Sequence, residues 1–213
     1  MPEAWLRGPV PGVPVPLQPV AHSLLDAVAD VRGAAGALPV EAVWQRPGGA
    51  PSVGFHLRHA RGSLERLLAY ARGETLTEAQ LAAIPLEKEP GDPPADAEAL
   101  LADLEVAVEA ALDQLRATPE ASLPDERRVG RAGLPSTVLG LLFHAAEHTR
   151  RHAGQVVATA TVARGLPAPS DPAAVRDVCL RAALDAWEDA GLRGLCAEGR
   201  WEAAVGAIRS LEP

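Results

Sequence analysis

Four stretches of the chain carry apolar residues at helical spacing. Over residues 20–38, Leu24, Leu25, Val28 and Val31 share a face, and Pro39 ends the run. The second runs to about residue 71 and places Leu57, Leu64, Leu67 and Leu68 toward a core. Ser52 precedes it, a residue whose hydroxyl accepts a bond from a free amide two or three positions on, and Gly73 stops it. The third, 96–117, has a broad stripe of Leu100, Leu101, Leu104, Val108, Ala111, Leu112 and Leu115, and Thr118-Pro119 terminates it. The fourth is the longest, 136–164, with Ser136 as its candidate cap, Gly165 as its stop and Pro167 beyond. It is apolar all round from Val138 to Phe143, which predicts a place at the centre of a bundle.

The segments between are polar or rich in proline. Residues 1–19 read as an extended arm rather than a packed element. Residues 44–52, WQRPGGAPS, are a loop. The connection 73–94 is rich in proline and acid, with one short helical turn starting at Thr77; connections this long are usually functional or mobile. Residues 120–134 are polar and hold Arg127, Arg128 and Arg131. A tail begins at Ser170-Asp171-Pro172, a cap with proline at the first helical position. Its first helix spaces Val175, Val178, Cys179, Ala182, Ala183, Ala186, Trp187 and Ala190 at three- and four-residue steps and closes at Gly191. A last helix covers 200–211, with Trp201, Val205 and Ile208 on one face. No stretch reads as a strand. The pattern predicts an all-α, up-down four-helix bundle over 20–165, with the arm 1–19 before it and a two-helix extension over 166–213.

Composition supports helix over sheet: aromatic residues are 3%, while alanine and leucine abound. Twenty lysines and arginines against 28 acids leave a net charge of −8, with no basic block, so a nucleic-acid partner is not expected. No apolar run approaches the roughly 20 residues needed to cross a bilayer, and no membrane association is expected. The N-terminus lacks the apolar core of a signal peptide, which makes the cytoplasm the expected location. Cys179 and Cys196 form no CxxC pair and read as two reduced cysteines in a helical core.

Histidine placement adds chemistry. Five of the six histidines fall in two clusters: His56 and His59 on the second helix, and His144, His148 and His152 on the fourth, in FHAAEHTRRHAGQ. Residues four apart share a helical face, with Cβ atoms roughly 5–6 Å apart, so two such imidazoles can converge on one ion. Imidazoles buried on an apolar helix without partners are costly, and a metal supplies the partner. The outer two of the three are about 12 Å apart along the axis, so one adjacent pair forms the edge, and spacing does not choose which. A third ligand must come from another helix. Coordination positions left open beyond it are the signature of a catalytic site.

The stretch 18–164 resembles the DinB-like superfamily of four-helix metal-dependent proteins. The resemblance rests on the tryptophan- and proline-containing loop WQRPGGAPSVG, on His59 seven residues after its serine, and on HTRRHAGQ beginning at His148. It implies that His59, His148 and His152 are the ligands and that His56 and His144 stand behind them or in the pocket wall. The arginine usual in the family just after the last histidine is Ala153 here. The superfamily includes S-transferases and an isomerase that use low-molecular-weight thiols, and relatives regarded as metal-dependent hydrolases.

Such an ion lowers the pKa of bound water toward 7 or binds a thiol as thiolate. The expected function is therefore a transferase or hydrolase acting on a small-molecule substrate, with a divalent ion (zinc, nickel or iron) and a low-molecular-weight thiol cosubstrate. The alternative is a non-catalytic metal-binding bundle used for sensing or protein interaction, and the tail's tryptophan-bearing helices would suit an interface as well as they would suit packing on the bundle. A homodimer is the expected assembly. His56, His144 and Glu147 are the candidates for a catalytic or orienting role. Arg128 and Arg131, with Arg127, are candidates for holding an anionic substrate, or simply a solvated loop.

Overall fold

The computed structural model describes residues 2–165 and 172–211. The chain divides into two compact units, Met1–Arg164 and Gly165–Pro213. The first unit is a four-helix bundle of α1 (Gln18–Ala35), α3 (Val53–Arg72), α5 (Ala97–Ala117) and α6 (Val138–Gly165), with short helices α2 (Val40–Trp44) and α4 (Glu78–Ala83) in its connections. Each boundary has a local cause. Ser52 accepts from the Phe55 amide at 3.1 Å to start α3, and Gly73, at φ 82°, supplies the left-handed turn that ends it. Thr77 and Gln80 close a capping box around α4, and Asp96 accepts from the Ala99 amide at 2.8 Å to start α5.

Every position of the predicted α5 stripe is buried, as are Leu24, Val31, Leu57, Leu64 and Leu68. Helix α1 packs on α5, and α5 on α3. Helix α6 meets α3 through its histidines and α1 through the Arg150–Asp30 ion pair. The bundle is all-α as expected, but its four long helices run up, down, down, up rather than in simple up-down alternation. Gln114 near the end of α5 reaches Leu68 O near the end of α3 at 3.1 Å, so these two are parallel. His56 meets His152 while His59 meets His148, so α3 and α6 are antiparallel. A parallel pair needs a connection that returns along the whole bundle, which explains the length of the segment between α3 and α5.

Several expectations are corrected. The polar segment before α6 contains a hairpin, β1 (Glu126–Val129) paired antiparallel with β2 (Leu134–Thr137), turned at Gly130 and Gly133 with positive φ. Two four-residue strands carrying two arginines and a proline offer no alternating pattern, so the glycines were the only sign. Helix α6 begins one residue later than a cap at Ser136 suggests, because Thr137 Oγ1 accepts from the Gly140 amide at 3.0 Å. Its apolar start is not buried all round: Leu139 and Phe143 are 40% and 61% exposed, since a helix at the corner of a bundle keeps one face to solvent. The N-terminal arm is packed rather than extended. It forms 3₁₀ turns at Ala4–Arg7 and Val15–Leu17 and buries Ala4, Val13 and Leu17. The Gln18 amide supplies bonds the proline-rich backbone lacks, accepting from Val10 N–H at 2.7 Å and donating to Val10 O and Val13 O at 3.0 and 2.8 Å.

The second unit is a packed pair, α7 (Pro172–Leu192) and α8 (Ala197–Arg209). The cap read at Ser170-Asp171, Pro167 and the side chain of Val175 lie outside the described residues. Gly194, at φ 80°, makes the turn between the helices, not Gly191. Gly191 instead leaves room for the Arg200 guanidinium, which stacks 4.5 Å over Trp187. Among the described residues no helix is long and apolar enough to cross a membrane.

Trp44 ties the first unit together near the start of α3. Its indole N–H donates to Ala95 O at 2.7 Å, and Arg58 lies over its ring. A Cβ on Gly54 would stand 2.7 Å from that ring. Gly54→Ala is therefore expected to destabilise by about 1–3 kcal/mol through overpacking, although alanine favours helix over glycine. Thermal unfolding of the variant checks this, and an unchanged or raised midpoint would show that the ring moves aside freely.

Candidate metal centre

The register that Ser52 gives α3 sets His56, His59, Ser63 and Arg66 at three- and four-residue steps, so they line one face. The antiparallel α6 presents His148 and His152 to that face. His59 Nε2 lies 3.1 Å from His148 Nε2, and the rings of His59 and His152, and of His148 and His152, are centred 4.6 Å apart. One ring nitrogen from each of His59, His148 and His152 falls within 4.8 Å of the other two. Two nitrogens on one tetrahedral ion at about 2.0–2.1 Å are separated by about 3.4 Å, so the donor set fits a divalent ion in type and spacing.

Each of two ligand candidates has a second nitrogen engaged. His152 Nδ1 is 3.1 Å from Nδ1 of the buried His56. His59 Nδ1–H donates to Glu87 Oε2 at 2.6 Å. Glu87 Oε1 accepts from Arg66 Nη1 at 2.7 Å, and Arg66 Nη2 donates to Ser63 Oγ at 3.2 Å. Ser63 Oγ in turn stands 3.2 Å from His59 Nε2. Phe55 is stacked on His59, with centroids 5.3 Å apart and planes 13° apart.

Electrostatics keep the cluster ready for an ion. Burial, then the neighbouring His59, lowers His56 to about 4. Burial, then the adjoining His59, His148, His56 and Arg151, lowers His152 to about 3. His148 is lowered for the same leading reasons, burial and His59. All three are neutral at pH 7, the state in which imidazole ligates. Burial would raise the Glu87 carboxyl, but the bonds from His59 and Arg66 outweigh it and hold it below its ordinary value.

The other residues singled out from sequence lie apart. His144 is exposed, its ring 5.6 Å from His148, and its Nδ1 is 3.2 Å from Glu147. Glu147 is taken by Arg151, whose hydrogen bond lowers its pKa first among several causes. Arg127, Arg128 and Arg131 line a cavity of about 510 Å³ with Tyr70, Gly73 and Leu81, and no histidine borders it. Glu87 was not anticipated. The connection that carries it holds several acids and no period, so nothing in the sequence selects one. Ser63 and Arg66 were legible in principle, four and seven residues after His59.

Residues 23–156 match the family model described as the DinB superfamily, and since that is more than half of the chain, the chain belongs to this superfamily. No curated protein matches it significantly.

Proposed function

We propose that this DinB-superfamily chain is a metal-dependent enzyme that activates water or a low-molecular-weight thiol for hydrolysis of, or transfer to, a small-molecule substrate. The observation that carries this reading is the open edge of the three-histidine cluster. His59 and His148 are half-buried, whereas His152 is closed in. A structural site is sealed by four protein ligands, while three ligands with an accessible side leave room for a reactant. A divalent ion held there supplies Lewis acidity, which brings the pKa of a water or a thiol toward neutrality. Zinc, nickel and iron all suit imidazole donors.

The chain's own residues divide the remaining work. Phe55 covers one side of His59 and keeps water from it. Ser63 Oγ is placed to hold a proton beside His59 Nε2. His144, at the exposed edge, is placed to carry a proton between the site and solvent. Glu147 stays ionised under Arg151, so it anchors His144 rather than acting as the base.

The test is an assay of thiol consumption with electrophilic substrates, alongside hydrolysis of simple esters and amides. Activity is expected to disappear with chelator, to return on adding zinc, nickel or ferrous iron, and to be absent from His148→Ala. A stoichiometric ion with no turnover in either assay would favour a non-catalytic metal-binding module.

A further inference from the structure

We propose that Glu87, carried by the connection between α3 and α5, is the positioning residue of the candidate metal centre: by accepting the bond from His59 Nδ1–H it fixes the tautomer that offers Nε2 to the ion. This rests on reading the three histidines as metal ligands.

Four observations support it independently of one another. The first is geometry, since Glu87 Oε2 lies 2.6 Å from His59 Nδ1, which leaves Nε2 on the side of His148. The second is the inverted burial of the segment 78–88. Leu81, Ile84 and Leu86 are 42%, 41% and 58% exposed, while Glu87 is 6% exposed. A segment held only by the hydrophobic effect would do the reverse, because burying a carboxylate is costly unless it is paired. The third is Arg66, which bonds the second carboxylate oxygen and also Ser63, so the carboxylate is fixed at both ends. The fourth is Gly62, one turn after His59. A Cβ there would stand 2.5 Å from Glu87 Oε1 and 2.8 Å from Arg66 Nη1. Helix α3 thus lacks a side chain at the place where the carboxylate comes down on it.

Histidines that ligate a metal generally donate their other N–H to such a partner, which sets ring orientation and raises basicity; losing the partner costs about 10–100-fold in metal affinity. The parallel run of α3 and α5 explains how a distant acid serves here. The connection must pass back along α3, and it crosses His59 on the way.

The experiment uses the full chain as wild type, Glu87→Ala, Glu87→Gln and Gly62→Ala. Zinc affinity is measured by competition with a chromophoric chelator, and the His59 tautomer by long-range ¹H–¹⁵N correlation in metal-free protein under alkaline conditions. Wild type is expected to hold His59 in the Nδ1–H form. Glu87→Ala is expected to lose that preference and to bind zinc about 10–100-fold more weakly. Glu87→Gln keeps an accepting oxygen and is expected to keep the tautomer, with smaller loss of affinity. Gly62→Ala leaves Glu87 in the chain but displaces it, so it is expected to resemble Glu87→Ala, although alanine is the better helix former. If Glu87→Ala does not fold, Gly62→Ala decides by the same two readouts. An unchanged tautomer and unchanged zinc affinity in these variants would overturn the role of Glu87 alone. A wild-type protein that binds no zinc while His59 is in the Nδ1–H form would overturn the metal reading alone.

Discussion

His152→Ala is expected to abolish ion binding under conditions where wild type is saturated. His152 is one of three converging ligands, the most enclosed of them, and its ring lies 4.6 Å from each of the other two. Removing an orienting partner costs about 10–100-fold, and removing a ligand outright must exceed that, because two imidazoles remain for an ion that needs at least three protein donors. A second penalty falls on the fold. His56 Nδ1 would lose its partner within a buried setting, which costs about 1–3 kcal/mol. Zinc titration with a competing chelator and urea unfolding of the metal-free variant measure the two effects separately. His144→Ala is the control: its exposed ring stands 3.2 Å from Glu147 and outside the three converging ligands, so ion content and stability are expected to stay close to wild type. Equal loss in both variants would mean that the ion is bound somewhere other than this cluster.

What the sequence made legible follows from which interactions have a period. The stripe on α5 is read directly, because helical burial repeats every three to four residues and each of its seven positions is buried. The cap at Ser52 is read equally well, since one hydroxyl answers one amide nearby in the chain. The two histidine edges are legible for the same reason, but the choice between His144 and His152 as the partner of His148 depended on family resemblance. Three-dimensional placement separates them: His152 turns toward α3 and His144 toward solvent. Glu87 and the β1–β2 hairpin lie at the other extreme. Each is fixed by contacts distant in sequence, His59 with Glu87 across 28 positions and backbone pairing across a glycine turn. The packed arm is a middle case. Proline made it look extended, and what reverses that is the burial of Ala4, Val13 and Leu17, the three bonds of the Gln18 amide and the bond from Ala4 N–H to Asp26.

The metal-free fold is expected to weaken sharply as pH falls from 7 toward 5, before its carboxylates protonate. The sign follows from the buried histidines. An unfolded histidine titrates near 6.5, whereas in the fold His56 titrates at about 4 and His152 at about 3, burial being the leading cause in both. Between those values the unfolded chain binds protons that the native chain refuses, so stability falls with decreasing pH. Their contribution is complete above about pH 6.5 and is lost as pH drops toward the folded values. Each histidine accounts for about 2 kcal/mol between pH 6.5 and 5, at about 1.4 kcal/mol per unit. The two rings touch, so the sum is somewhat less than double. Glu87 acts in the same direction but lower, because its pKa is depressed below an ordinary value of 4.5 and its contribution is lost only beneath that. Urea unfolding of metal-free protein at pH 7, 6 and 5 gives the slope. His56→Gln removes one titrating group and should flatten the limb between pH 6.5 and 5 by about one proton, while bound zinc should steepen it, because protons then compete with the ion for the ligand nitrogens. A midpoint independent of pH across this range would mean that the histidines are as accessible to protons in the fold as in the unfolded chain, and the enclosed cluster would have to be given up.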